Sequence, residues 1–269
     1  MKATGLRLGG QQIWLPLLAG DTAQIIAIIG GGGKSSLLYY LARMIRKSGR
    51  KVIISLTTKM FHPDEADHQV LFANSTDSLL QAARNDGPGL ITVAAGIDPA
   101  DSRKLIGLPP EWFSEAVQSA SDVVFLIEAD GSAGRSLKGY LPHEPVIPSA
   151  TSLVIPVVGM DVLGKPLVED FVHRATVAAG LSRWPIGAAI VPDLIVTLLL
   201  SPAGYRKDCP PGAKTVFFLN KTESADRYLA AETIAAAVLA ADSSVQGVVA
   251  GSVFADQFTF WPSFTNERE

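Results

Sequence analysis

An apolar run, Ile25–Ile29, enters four consecutive glycines, Gly30–Gly33, followed by Lys34, Ser35, Ser36 and a helical pattern. That order of residue types suits a phosphate chain. Glycines let the main chain turn tightly and aim several N–H groups at one anion. A helix starting at the lysine turns its positive end toward the same anion. Lys34 can reach the outer phosphates, and the Ser35 hydroxyl can sit on Mg²⁺. Gly30, Gly31, Gly32, Gly33, Lys34, Ser35 and Ser36 are therefore candidates for holding ATP or GTP with Mg²⁺. The spacing departs from G-x-x-x-x-G-K-[ST]. The first glycine of that pattern would fall at Ile28, so the glycine-to-glycine span here is shorter.

Further candidates follow other apolar runs. Thr57, Thr58 and Lys59 come after Lys51–Ser55 and offer two hydroxyls and an ammonium to Mg²⁺, a phosphate or a second substrate. Val123–Ile127 leads into Glu128-Ala129-Asp130-Gly131, an apolar strand ending in carboxylates. One carboxylate in such a place typically reaches the Mg²⁺ held by the phosphate-loop hydroxyl. Residues two apart on a strand share a face, so Glu128 and Asp130 are both candidates, as metal ligands and as catalytic groups. Arg135 and Lys138, on the glycine-bearing segment that comes next, could stabilise charge on a transferring phosphoryl group. His143 and Glu144 could form an acid/base pair. Asp161, after another apolar run, could join a second-substrate site. Asn220 and Lys221, followed by Glu223, are similar to the N-K-x-D base-reading motif of GTPases, with Glu for Asp. None of the four histidines has the tight spacing of a metal pair.

The elements that must position these groups read as alternating strands and helices. Strands are expected at Ile25–Ile29, Lys51–Ser55, Val70–Ala73, Leu90–Ala94, Val123–Ile127, Leu153–Val158, Thr215–Leu219 and Val248–Val249. Pro156 suggests that its strand is an edge or carries a bulge. Leu37, Leu38, Leu41, Met44 and Ile45 recur at helical spacing, and that helix ends in a basic run with Gly49. Helices are also expected from Pro110 to about Ala120, at Val168–Ala179 and at Ala225–Ala241. The pattern predicts a single α/β domain over 1–269, P-loop NTPase-like, with a mainly parallel sheet and helices on both faces. Its core would run from about 20 to 252, with peripheral segments at either end. Ligands in such sheets sit at the C-terminal ends of strands, where every candidate group lies.

Composition narrows the partners. The 269 residues are 48% hydrophobic, with 23 basic and 26 acidic side chains and a net charge of −3. There is no basic excess to suggest nucleic acid. The only cysteine, Cys209, precludes an intrachain disulfide, and no apolar stretch approaches the ~20 residues that span a bilayer. A cytoplasmic location and no membrane partner are expected.

The glycine loop resembles the GTxGKT-type loop of Mur ligases and folylpolyglutamate synthases, which bind ATP. The segments GGGGKSS, TTKMF, IEADGSAGRSLKGYLPHEPVIP, VVGMDVLGKPL, VHR (172–174) and LNKTE together resemble the YqeC family, in order, over roughly 25–252. Members of that family are described as accessory proteins of selenium-dependent molybdenum hydroxylases. The resemblance implies a nucleotide-binding protein acting in maturation of a selenium-containing molybdenum cofactor. It carries Lys34, Ser35, Thr57, Thr58, Lys59, Glu128, Asp130, Arg135, Lys138, His143 and Glu144 as site residues. Members often have Lys-Thr-Thr where this chain has Lys34, Ser35 and Ser36, which keeps the hydroxyls, and Leu56 stands where another threonine is common.

The expected activity is Mg²⁺-dependent nucleotide binding with hydrolysis, or phosphoryl or nucleotidyl transfer, in maturation of such a hydroxylase or its cofactor. The partners would be the nucleotide and a molybdenum cofactor precursor or the apo-hydroxylase. The alternative is a non-enzymatic, nucleotide-switched chaperone that docks on the apo-hydroxylase.

Overall fold

The computed structural model describes residues 5–19, 24–63, 68–84, 89–120 and 122–263. Ten strands form its main sheet. They are β1 (Leu6–Gly9), β2 (Gln24–Gly30), β3 (Lys51–Leu56), β4 (His68–Phe72), β5 (Leu90–Ala94), β6 (Val123–Glu128), β7 (Thr151–Gly159), β8 (Lys214–Asn220), β9 (Val245–Ser252) and β10 (Gln257–Pro262). Their spatial order is β4-β5-β3-β6-β2-β7-β8-β9-β10-β1. The pairings from β4 to β9 are all parallel, while β10 runs antiparallel to both β9 and β1.

The strands are continuous apolar runs because both faces of the sheet are covered. Ile25, Ala27 and Ile29 of β2 pack with residues of α3 (Thr76–Ala83), α4 (Pro110–Ser119), α5 (Ala175–Ser182), α6 (Pro192–Leu200) and α7 (Ala225–Ala241). Ile26 and Ile28 face the other way, toward α1 (Gly10–Leu17) and α2 (Lys34–Lys47). The α2 helix keeps Leu37, Leu38, Leu41, Met44 and Ile45 inward and ends in Arg46 and Lys47, cations suited to its negative end. Ser75 caps α3, accepting from the Ser78 amide at 3.2 Å. Among the described residues no helix is long and apolar enough to cross a membrane.

Register brings the candidate groups together. Glu128 at the end of β6 lies opposite both Ile28 on β2 and Leu56 on β3. Gly30 lies opposite Val157 on β7, and Gly159 opposite Asn220 on β8. Five adjacent strands thus end side by side.

Three expectations change. The strand with Pro156 is central, between β2 and β8, and its irregularity falls at Thr151/Leu153. In a parallel ladder a residue turns its N–H and C=O toward one neighbour, so a proline removes a single bond. The helix expected at Val168–Ala179 starts at Ala175. The Glu169 carboxylate accepts from the amides of Arg174 (3.0 Å) and Ala175 (2.7 Å), and Arg174 itself is left-handed at φ 59°. Residues 168–174 form turns and a short pairing of Val172–His173 with Leu137–Lys138. The described parts of the end segments are integral: β1 and β10 extend the sheet, and Trp14 and Trp261 are buried.

Candidate functional site

The loop after β2 is shaped by backbone contacts. Gly32 adopts φ 84°, and a Cβ there would lie 2.3 Å from the Gly159 nitrogen, so only glycine fits. The Gly31 amide donates to the Val157 carbonyl at 2.9 Å, and the Gly30 amide to Asp130 Oδ2 at 2.8 Å. Asn220 Nδ2 donates to the Gly32 carbonyl at 2.8 Å. Gly30 and Gly31 therefore have amides already engaged within the protein. The amides opening α2 have no intrahelical acceptor by helix geometry, and they face the end of the sheet.

Lys34 is only 5% exposed. Its ammonium donates to the Gly30 carbonyl at 2.8 Å and lies 3.3 Å from Asp130 Oδ1 and 3.6 Å from Glu128 Oε1. Burial alone would lower its pKa, but the two carboxylates outweigh that, and the pKa is raised. Ser35 Oγ donates to Glu128 Oε2 at 2.8 Å. Burial raises the Glu128 pKa, offset in part by Lys34 and Ser35.

Asp130 has no exposed surface and serves a different task. Besides Gly30 and Lys34 it meets Lys138 Nζ at 3.1 Å, and Lys138 meets Glu144 Oε2 at 3.3 Å. Glu144 in turn forms a two-pronged ion pair with Arg174. Lys138 also donates to the Gly131 carbonyl at 2.6 Å and lies 4.5 Å from the centre of the Tyr140 ring. Burial is the main cause lowering the Lys138 pKa to about 8.

Above these groups lies a cleft of about 910 Å³. Gly32, Gly33, Lys34, Ser35, Ser36, Thr58, Lys59, Glu128, Asn220 and Lys221 line it, together with Lys104, His173 and Arg174. Thr57 Oγ1 donates to the Val146 carbonyl at 2.7 Å, a structural bond. The buried Thr58 hydroxyl has no partner among the described residues. Lys59 pairs with Asp98 at 2.7 Å. Lys221 Nζ bonds Asp161 at 2.7 Å and Ser136 at 3.1 Å.

Gly30, Gly31, Thr57, Asp130, Lys138, Asp161, Arg135 and His143, all sequence candidates, lie outside the cleft lining. Arg135 turns away, donating to the carbonyls of Glu169 (3.0 Å) and Ala133 (2.7 Å). His143 is exposed on its turn, while its neighbour Glu144 points inward to Lys138 and Arg174, so the two do not act as one pair. Residues not singled out for the site include Lys104, Ser132 (3.4 Å from Lys34 Nζ) and the cleft-lining Phe254. No sequence signal marked Phe254, and Ser132 could have been found from its place two residues beyond Asp130.

A second cleft, of about 980 Å³, opens at the ends of β8 and β9 and is lined by Arg7, Glu223, Tyr228, Ser252 and Asp256. It contains none of the lysine–carboxylate groups. Glu223, the last residue of the Asn220–Glu223 motif, faces this cleft and lies 3.9 Å from Arg227.

The fold and site define an α/β protein whose glycine loop, lysine, serine and two carboxylates meet where parallel strands end. The YqeC protein family matches residues 26–176, the span holding all of those groups. The "Uncharacterized protein YqeC" of Escherichia coli (strain K12) is 34% identical over 206 residues, covering 77% of this chain and 79% of that protein. The chain belongs to the YqeC family.

Proposed function

We propose that the chain is a P-loop NTPase-like protein that binds a nucleoside triphosphate with Mg²⁺ at the start of α2. It hydrolyses the nucleotide or transfers a phosphoryl or nucleotidyl group from it. The reading rests on one observation. The Lys34 ammonium and the Ser35 hydroxyl both contact Glu128, at 3.6 and 2.8 Å, at the head of a glycine loop whose following helix opens onto the cleft.

Mg²⁺ fits this donor set. It favours oxygen ligands and usually takes only one or two protein groups, with phosphate and water completing the shell. Ser35 and Glu128 would supply those, with Thr58, whose hydroxyl has no partner among the described residues, on the same cleft wall. Held there by Ser35 and Glu128, the ion would offset the negative charge of the phosphates. Lys34 would exchange its carboxylate contacts for phosphate oxygens, and the α2 amides would hold the rest. Asp130, beneath the loop, is a positioning residue that keeps the Gly30 amide in place. Lys59, Lys104, His173 and Arg174 line the remainder of the cleft, where a second substrate would lie. The biological role, maturation of a selenium-dependent molybdenum hydroxylase or its cofactor, rests on the family resemblance alone.

Thermal unfolding with Mg-ATP and Mg-GTP, paired with a phosphate-release assay, tests the reading. A ligand at a hundredfold its Kd stabilises by about 2.7 kcal/mol. Lys34→Ala should abolish that shift and any turnover. Wild-type protein unmoved by millimolar Mg-nucleotide would overturn the reading. Binding without turnover would favour the nucleotide-switched chaperone instead.

A further inference from the structure

Phe254 is 88% exposed, the most exposed large hydrophobic side chain described. It lies just past β9, on the turn leading to β10, where the Ala255 amide donates to Ser252 Oγ at 3.3 Å. A single exposed ring is ordinary on a protein surface, so it is the place of this one that carries information. Its position is specific. The phosphate-side cleft adjoins a smaller depression of about 500 Å³ on the outer side of α2, and the two share Ser36 and Phe254. Tyr39, Tyr40, Arg43 and Lys47 line the depression. Aromatic faces with adjacent cations are the surroundings that take a flat, π-rich ligand.

We infer that this depression is the nucleobase subsite and Phe254 its stacking platform, an assignment that rests on the nucleotide reading above. With the phosphates at Lys34 and Ser35, the chain of a nucleotide passes Ser36 and leads the base over the first turn of α2. The alternative direction, toward the Asn220–Glu223 motif, is less well provided. The Asn220 amide already braces the Gly32 carbonyl, and Glu223 faces the separate cleft beyond β8. A stacking platform accepts any base, so adenine and guanine nucleotides should depend on Phe254 alike.

Calorimetric titration of the full chain with Mg-ATP, Mg-GTP and Mg-tripolyphosphate separates the two claims. Tripolyphosphate carries the phosphate contacts without a base, so its binding should require Lys34 and ignore Phe254. Phe254→Ala should weaken both nucleotides about tenfold or more while leaving tripolyphosphate unchanged. Phe254→Trp should retain nucleotide affinity and show fluorescence quenching on binding. If Lys34-dependent tripolyphosphate binding is present and Phe254→Ala leaves the nucleotides unaffected, the subsite is wrong and the nucleotide reading stands. Equal weakening of nucleotides and tripolyphosphate would also overturn the subsite. If neither nucleotide nor tripolyphosphate binds, both claims fall.

Discussion

The loop after β2 and the loop after β6 face each other at the floor of the same cleft and are built from different materials. The first, Gly30 to Ser36, is main chain: three positive-φ glycines, amides engaged with Val157 and Asp130, and a carbonyl held by Asn220. The second, from Asp130 to Glu144, is held by charge. Asp130, Lys138, Glu144 and Arg174 alternate in sign along one line, and the first two are fully buried. Burying such charges costs several kcal/mol per ion unless each is matched. The difference teaches that the glycine turn itself can be bare main chain because a buried ionic frame stands beside it and holds the Gly30 amide. Glu128 and Asp130, two residues apart, fall on opposite sides of that division: one opens to the cleft, the other is sealed beneath the glycines.

Mutations that strike one loop should separate stability from binding. The largest effect is expected from Lys138→Met, which leaves Asp130 and Glu144 without their shared cation; chemical denaturation should show a loss of about 4 kcal/mol. Gly32→Ala should cost about 3 kcal/mol, since a left-handed residue would also collide with Gly159. The comparison sharpens if that variant, below its melting temperature, has lost tripolyphosphate binding altogether. Asn220→Ala should cost about 1–2 kcal/mol by orphaning the Gly32 carbonyl. A loss under about 0.5 kcal/mol there would mean that the glycine loop holds its shape without the brace.

The smallest effect is a pH dependence. The raised Glu128 pKa means that the folded chain keeps that proton to higher pH than the unfolded chain does. Its stabilising contribution is complete below about pH 4.3, the unfolded value, and is lost as pH rises through the folded one. Mg²⁺ needs the ionised form, so Mg-nucleotide affinity should climb over that same window. Glu128→Gln should flatten the climb, and an unchanged slope in that variant would remove Glu128 from the metal.

Much of this arrangement is legible in residue order alone. The run from Ile25 to Ser36 declares a strand, a turn and a helix because each is a local pattern. Leu90–Ala94 and Ala225–Ala241 begin and end where apolar periodicity puts them. Glu128 and Asp130 are legible as a pair, since a strand end fixes their neighbourhood. Their opposite roles are not, because alternation stops where the strand does. Asp130 is claimed there by Lys138 and Gly30, which arrive from elsewhere in the chain. The helix expected at Val168–Ala179 fails for a similar reason: the Glu169 carboxylate caps a helix that starts six residues later. Arg135 and His143 have the chemistry of site residues, but their direction is set by partners no spacing reveals.

The first and last strands of the sheet lie side by side, with Leu6 opposite Phe260 and Gly9 opposite Gln257. Residues 6–9 and 257–260, far apart in sequence, thus share one edge of the sheet. A short covalent bridge from about residue 263 back to residue 5 would close the chain without bending the sheet, and new ends could then be opened elsewhere. Closure should also resist unzipping from the edge.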